Sequence, residues 1–494
     1  MANTITASIY SYQANPDFTD GYGVQMGFPV EGVVIRDLPT PVVYQGVNCN
    51  ATIEVISDSD PFPTYFAAET AAQLIADANT GPTPSPDPVP ISYPITSTDA
   101  FGRLRVSEPL TLFDSSHRYS DNNLWSSLAA VGATASFNAN QGLVDLNVTS
   151  ASGSSIVRET IKVFSYQPGK SLLILSTFVM APAQTGLTQS VGYFNDNNGF
   201  YVSLEDSILY FVERSIVTGA LVNTKIPQSS WNYDKLNGSG PSGLTLDITK
   251  AQILWIDMEW LGVGSVRMGF VINGQFILCH IFQHANIIAS TYITTASLPL
   301  RYVIGNSAPT LTSSTLKQIC STVISEGGYA LAGVQQAVGT PILTPRTFAV
   351  AGTYYPIVAL RLKTARLDAI VILTAISILG LGNGKNYNWR VIQSASGGSV
   401  VGGAWVSAGV NSSVEYNITG TSASTGRILA SGFVNSSNQG SPSINILKEA
   451  LFANQLERDG LTATPYELFI EVAVETTSGG EGVYASIDWE EISR

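Results

Sequence analysis

A chain of 494 residues, 45% hydrophobic and only 12% charged, is too long for one core and divides into roughly two to four domains. Its 44 Gly and 24 Pro exclude an architecture of long helices and favour many short strands joined by tight turns. A formal charge of −13, with no Lys/Arg cluster able to neutralise phosphates, leaves nucleic-acid binding without electrostatic support.

The opening "MANTITASIYSYQ" has neither a basic n-region nor an apolar h-region, so no secretory signal is expected and synthesis in a cytoplasm follows. Residues 1–80 mix strand-like pieces such as "TPVVYQGVNCNATIEVIS" with a stretch at 66–79 whose Phe66, Ala67, Ala71, Leu74 and Ile75 share a helical face, predicting a small α+β module. Residues 81–94 form a Pro-rich linker: the segment "GPTPSPDPVP" has five prolines and cannot join a ladder.

Residues 95–335 read as strand after strand, for example "SLLILSTFVM", "GFYVSLEDSILYFVERS" and "QILWIDMEW". Asn273-Gly274 in "VINGQF" marks a tight hairpin, because both residues tolerate positive φ. An antiparallel β-sandwich of jelly-roll type fits, since several strands are apolar on both faces.

From 336 to 494 the same style predicts a second sandwich, with one helix expected at 443–455. The apolar run "AIVILTAISILGLG" at 369–382 is 14 residues long, short of the roughly 20 that a membrane-spanning helix needs, and is expected as buried strand without membrane insertion. No internal repeat points to a propeller or solenoid. The expected fold is therefore mainly β: a small α+β module, a linker and two antiparallel jelly-roll-like sandwiches.

Candidate chemistry is sparse. Cys49, Cys279 and Cys320 are odd in number and form no close-spaced motif, so packed thiols are expected, with no disulfide, metal or cofactor. Asp114, Ser115, Ser116 and His117 supply triad residue types, but adjacent letters do not place a nucleophile against a base, and a turn is expected there. His280 and His284 would share one side of a regular strand, with Cys279 turned away, so a metal site would need ligands from elsewhere.

Asp257 and Glu259 in "WIDMEW" alternate with apolar neighbours and share a face, an arrangement compatible with the paired carboxylates of glycosidases and equally with a half-solvated strand. Asp196 is the single carboxylate in "FNDNNG", too few for a calcium loop. No catalytic residue is assigned. Most aromatics are expected in the core, with Trp231, at the head of the loop "WNYDKLNGSGPSG", and Tyr233 the candidates for stacking on a glycan.

Five segments, "TSTDAFGRLRVSEPLTLFDSSHRY" (96–119), "VGYFNDNNGFYVSLEDSILYFVERS" (191–215), residues 231–284, "LPLRYVI" (298–304) and "CSTVISEGGY" (320–329), together resemble virion structural proteins of tailed bacteriophages, mainly of aquatic and marine hosts. The similarity spans about 95–400 and includes "LRLKTARLDAIVI". It implies a particle component with a concanavalin-like or jelly-roll domain, located in the virion as a capsid-bound decoration or fibre or as a tail component. Attachment through the N-terminal module, self-association as a trimer and contact with other virion proteins are the expected partnerships. A carbohydrate-binding receptor protein touching host surface glycan is the alternative, followed by a polysaccharide-degrading enzyme.

Overall fold

The computed structural model describes residues 11–13, 23–25, 33–44, 47–55, 98, 108–329, 332–394, 399–424, 426–437 and 455–493. The chain divides into two compact units, Met1–Ser92 and Tyr93–Arg494. In the first, β1 (Ser11–Gln13) pairs antiparallel with β2 (Gly23–Gln25), and β3 (Val33–Tyr44) with β4 (Val47–Val55). The helix expected at 66–79 and the linker at 81–94 lie outside the described residues, as does nearly all of the helix expected at 443–455.

The second unit is built almost wholly of antiparallel strands. Its first half comprises β5 (Leu110–Ser116), β6 (Trp125–Ala130), β7 (Thr134–Asn138), β8 (Leu143–Val148), β9 (Ser155–Thr160), β10 (Ser171–Val179), β11 (Leu187–Phe194), β12 (Gly199–Glu205), β13 (Ile208–Ser215), β14 (Val222–Pro227), β15 (Gln252–Met258), β16 (Val266–Ile272), β17 (Gln275–Phe282), β18 (Leu300–Asn306) and β19 (Ser314–Glu326). One sheet runs β17-β16-β15-β10-β19-β8-β7, with β5 also on β19; the other runs β14-β13-β12-β11-β18-β9-β6. The crossovers between sheets make this a jelly-roll-like sandwich rather than a meander.

Strand alternation explains the packing. Leu254, Ile256 and Met258 of β15 point into the central core with Leu172 and Ile174 of β10, and Tyr302, Val191 and Phe211 meet them from the opposite sheet. The intervening Leu173, Trp255 and Leu278 form a separate cluster on the other face of the first sheet. A strand buried on both faces carries a continuous apolar run, which is what the sequence shows in both β10 and β15. The β16–β17 turn has the expected form, with Asn273 at φ 54° and Gly274 at φ 76°.

The second half adds β20 (Val334–Gly339), β21 (Tyr355–Leu362), β22 (Ile370–Leu381), β23 (Asn386–Gln393), β24 (Val400–Val401), β25 (Val406–Ser407), β26 (Val414–Asn417), β27 (Ser422–Ala423), β28 (Arg427–Asn435), β29 (Arg458–Asp459), β30 (Thr464–Pro465), β31 (Leu468–Val474) and β32 (Gly482–Ser493). A three-stranded sheet, β20-β32-β22, packs on a six-stranded one, β25-β26-β21-β31-β23-β28, around Val371, Leu373, Ile470, Val472, Ile487 and Trp489. The apolar run at 369–382 is the single strand β22, bulged where Leu373 and Ala375 flank one register shift. Among the described residues no helix is long and apolar enough to cross a membrane.

Candidate functional site

The loop at 231–243 is an ordered strap. Asn232 clamps β17 through both ends of its amide, donating to the Ile281 carbonyl at 3.0 Å and accepting the Ile281 N–H at 2.9 Å, while the Tyr233 N–H donates to the Cys279 carbonyl. Asp234, only 3% exposed, holds the turn that follows by accepting the N–H groups of Leu236 at 2.8 Å and Ser242 at 2.7 Å. Burial pushes its carboxyl up, but those N–H donors outweigh it and hold it below the usual carboxylate range. Gly240 is required at the closest approach, because a Cβ there would lie 2.1 Å from Asp234 Oδ1.

Trp231 does not sit on this strap's surface. Its ring is 1% exposed and stacked on Phe211 at 4.2 Å, with Phe270 beyond, and its indole N–H donates to the Ile226 carbonyl. No face remains for a sugar, so the stacking role expected for Trp231 is corrected: the residue that opens the loop is its anchor in the core. Tyr233 is 43% exposed but stands without Trp231 beside it at the surface.

Asp257 and Glu259 also depart from the paired arrangement. Asp257 is fully buried against Arg267 on the neighbouring strand, where the two are register partners and form an ion pair; Arg267 also donates to the Thr98 carbonyl at 2.7 Å. Glu259 lies beyond the end of β15, its main chain bonded to Ser265 and its carbonyl accepting the Tyr292 hydroxyl at 2.7 Å. The sequence alternation is real, but the strand ends before it delivers a carboxylate pair to one surface.

The histidines scatter. Residues 114–116 continue strand β5 rather than the expected turn, and His117 follows its end; Asp114 and Ser116 are exposed while Ser115 and His117 are buried. Ser115 Oγ accepts the Trp125 indole N–H at 2.8 Å, and among the described residues neither ring nitrogen of His117 has a hydrogen-bond partner. Burial, reinforced by the Arg158 charge and opposed by Asp121, lowers His117 to about 4.

In β17 a bulge opposite Met268 and Gly269 breaks the regular alternation, and Cys279 joins the central core on the side of Phe282. His280 Nδ1 accepts the Asn232 N–H at 3.3 Å and burial lowers it to about 4, whereas His284 turns to the Gly264 carbonyl at 2.5 Å and Glu213 at 2.9 Å, its ring stacked on Tyr292. Among the described residues no group of three His, Cys, Asp or Glu is arranged for a metal. Cys279 and Cys320 are free thiols, both pushed up by burial. Asp196, in the β11–β12 turn, is an ion-pair partner of Arg301 at 2.5 Å.

The strongest electrostatic feature was missed in the sequence: a buried network where the two sandwiches meet. Arg458 of β29 is 2% exposed and bridges Glu159 of β9 at 2.7 Å to Asp368 at 3.2 Å, while its main-chain N–H donates to Ile161. Glu159 also holds Arg301 of β18 at 2.7 Å, and Asn195 donates to Asp368 at 3.1 Å. Burial alone would lower Arg301, but Glu159 and Asp196 more than offset it and raise its pKa. Gln455 donates to the Val163 carbonyl at 3.0 Å, and Val163 packs with Ile370 and Ile372. Arg458 also donates to the Thr160 carbonyl at 2.8 Å, across 298 residues of sequence, so no local pattern could have revealed this network.

No protein-family model and no curated relative matches the chain. Among solved structures it is similar to the Emp47p carbohydrate recognition domain (11% identity, TM-score 0.26, covering 44% of this chain and 96% of that one). It is also similar to a β-1,3-glucanase from Mycobacterium marinum (7% identity, TM-score 0.30, 43% and 98% covered) and to a protein of unknown function from Shewanella oneidensis MR-1 (10% identity, TM-score 0.29, 48% and 94% covered).

Proposed function

We propose that this chain is a non-catalytic structural protein of a bacteriophage particle. It is displayed as a capsid-bound decoration or fibre or as a tail component, attached through its N-terminal module and self-associated as a trimer. The observation that carries the reading is the junction. Two sandwiches joined by a Glu159–Arg458–Asp368 bridge, buried at Glu159 and Arg458, and by an apolar patch form one stiff body, the mechanical property a displayed particle protein needs. The five-segment resemblance supplies the particle. Unpaired sheet flanks support self-association: β14 is an edge strand and exposes Val222, with Leu221 just before it.

The enzymatic alternative needs an acid and a nucleophile or base flanking one bond. Asp257 is compensated by Arg267 inside the protein, which favours the non-catalytic reading. The purified protein is expected to release no reducing sugar from host polysaccharide; release that disappears in Glu259→Gln would overturn this part of the proposal. For the particle role, an antibody against residues 1–80 should label purified virions, and light scattering at micromolar concentration should give a trimer. Absence from particles, together with a monodisperse monomer, would refute it.

A further inference from the structure

We infer that the second sandwich carries a binding groove for a neutral saccharide on the exposed face of its six-stranded sheet, away from the central domain's strap. The groove begins with an unusual exposure: Phe433, on the edge strand β28, is 81% exposed. Its register partner on β23 is Asn388, whose partner on β31 is Ala473. Continuing the β21–β31 register one step past Tyr355 and Val472 sets Tyr354 beside Ala473. One row across four chain segments therefore reads Phe433, Asn388, Ala473, Tyr354. With strands about 4.8 Å apart, the backbones of Phe433 and Tyr354 stand roughly 14 Å apart, and the Tyr354 side chain crosses much of that gap, its hydroxyl reaching Asn388 beside Phe433. The hollow they enclose with Asn386 and Glu475 is about 400 Å³, inside the range of small-ligand sites.

Its polar wall is held in place before any ligand arrives. The Tyr354 hydroxyl donates to Asn388 Oδ1, and Asn388 Nδ2 donates to the Gly432 carbonyl at 2.9 Å, fixing the amide's orientation. Glu475 accepts both the main-chain N–H of Asn386 at 3.3 Å and its side-chain amide at 2.9 Å, which aligns the carboxylate while leaving it lone pairs for further donors. Arg390 stacks on the Tyr354 ring at 3.6 Å and reaches Glu471 at 3.5 Å, so its charge is spent within the wall.

An exposed ring, two oriented amides and an aligned carboxylate are the complement of a pyranose, with its apolar C–H face and its neighbouring hydroxyls. Because Arg390 is engaged and Glu475 is anionic, an acidic sugar is disfavoured. A protein occupant would need close to 800 Å² of partner surface, whereas here a single large apolar side chain is offered among polar groups. Prior fixing of the wall lowers the entropy cost of binding.

The test is affinity electrophoresis of the full chain through gels containing laminarin, dextran or galactomannan, with calorimetric melting to confirm folding. The wild-type protein should be retarded by at least one of the three. Phe433→Ala should weaken that retardation roughly tenfold at unchanged melting temperature, and Phe433→Trp should restore it. Glu475→Gln should weaken it less, and Tyr119→Ala, at a residue 80% exposed on the central sandwich, should leave it intact. Retardation by none of the gels, or equal retardation of wild type and Phe433→Ala, would overturn the inference. So would loss of trimer in Phe433→Ala without any glycan effect, which would assign the ring to a contact between copies. Because the readout is sugar binding and not particle location, it can fail while the particle role stands, and the reverse.

Discussion

The two sandwiches share an architecture but treat their aromatic residues in opposite ways. In the central one the large rings are swallowed: Trp231, Phe211 and Phe270 pack together as a triangle, and Phe200 meets both Phe282 and Tyr292. In the second the core is mostly aliphatic, while Phe433 stands in solvent. The face each ring occupies explains the contrast. Trp231, Phe211 and Phe270 lie in the core between two facing sheets, whereas Phe433 shares a row with Asn388 and Ala473, opposite the face on which Val434, Tyr387 and Val474 pack against the second core. The central domain is thus the frame and the second domain the place where surface chemistry survives.

Removing a ring should separate these roles most sharply. Trp231→Ala is expected to cost about 3–5 kcal/mol, the usual penalty for deleting a buried aromatic, measured as a lower urea midpoint. Saccharide retardation at neutral pH should be unaffected in the molecules that stay folded. A Trp231→Ala protein as stable as wild type would show that the strap and not the core carries this residue.

Acid should act on the two halves with opposite signs. All three histidines lie in the central sandwich, and His117 and His280 are lowered from 6.5 to about 4 by burial. Between those values the unfolded chain binds more protons than the folded one, so the stability they leave intact above pH 6.5 is lost as pH falls toward 4, by up to ~3 kcal/mol for each residue. In the second sandwich, burial raises Glu471, against the pull of Arg390, and raises Asp488. A carboxyl raised on folding binds its proton first in the folded state, so these groups favour folding as pH drops through the region just above the ordinary carboxylate range. Urea midpoints at pH 7 and pH 5 should show the central transition falling, and His117→Leu should remove a substantial part of that fall. Equal midpoints at the two pH values would refute the assignment.

A smaller effect tests the strap alone. Gly240→Ala should force Asp234 off its two N–H donors and cost about 2 kcal/mol, visible as faster amide exchange at Leu236 and Ser242. Protection equal to wild type at both amides would show that the turn absorbs the added methyl elsewhere.

The sandwich class, the Asn273-Gly274 hairpin and the strand nature of 369–382 were legible because they depend on neighbours in sequence: period-two alternation, turn residues and run length. The site readings fared differently. Trp231 looked like a surface ring because it heads a polar loop, yet that loop folds back so that its first residue plugs the core. Residues 114–117 looked like a turn because Asp and Ser cluster there, but pairing of Asp114, Ser115 and Ser116 with β19 overrode local preference. Phe433 carried no signal in the sequence at all, since an edge position differs from a central one only in what lies across the sheet.

By itself, then, the amino-acid order settled which stretches extend and where they reverse, since steric and hydrogen-bond preferences of that kind act over a few residues. Which ring is hidden, which carboxylate meets an arginine and which aromatic is left in water depended on partners tens to hundreds of positions away. Those were fixed only when the sheets closed, because burial and charge compensation are properties of the space around a side chain and not of its place in the chain.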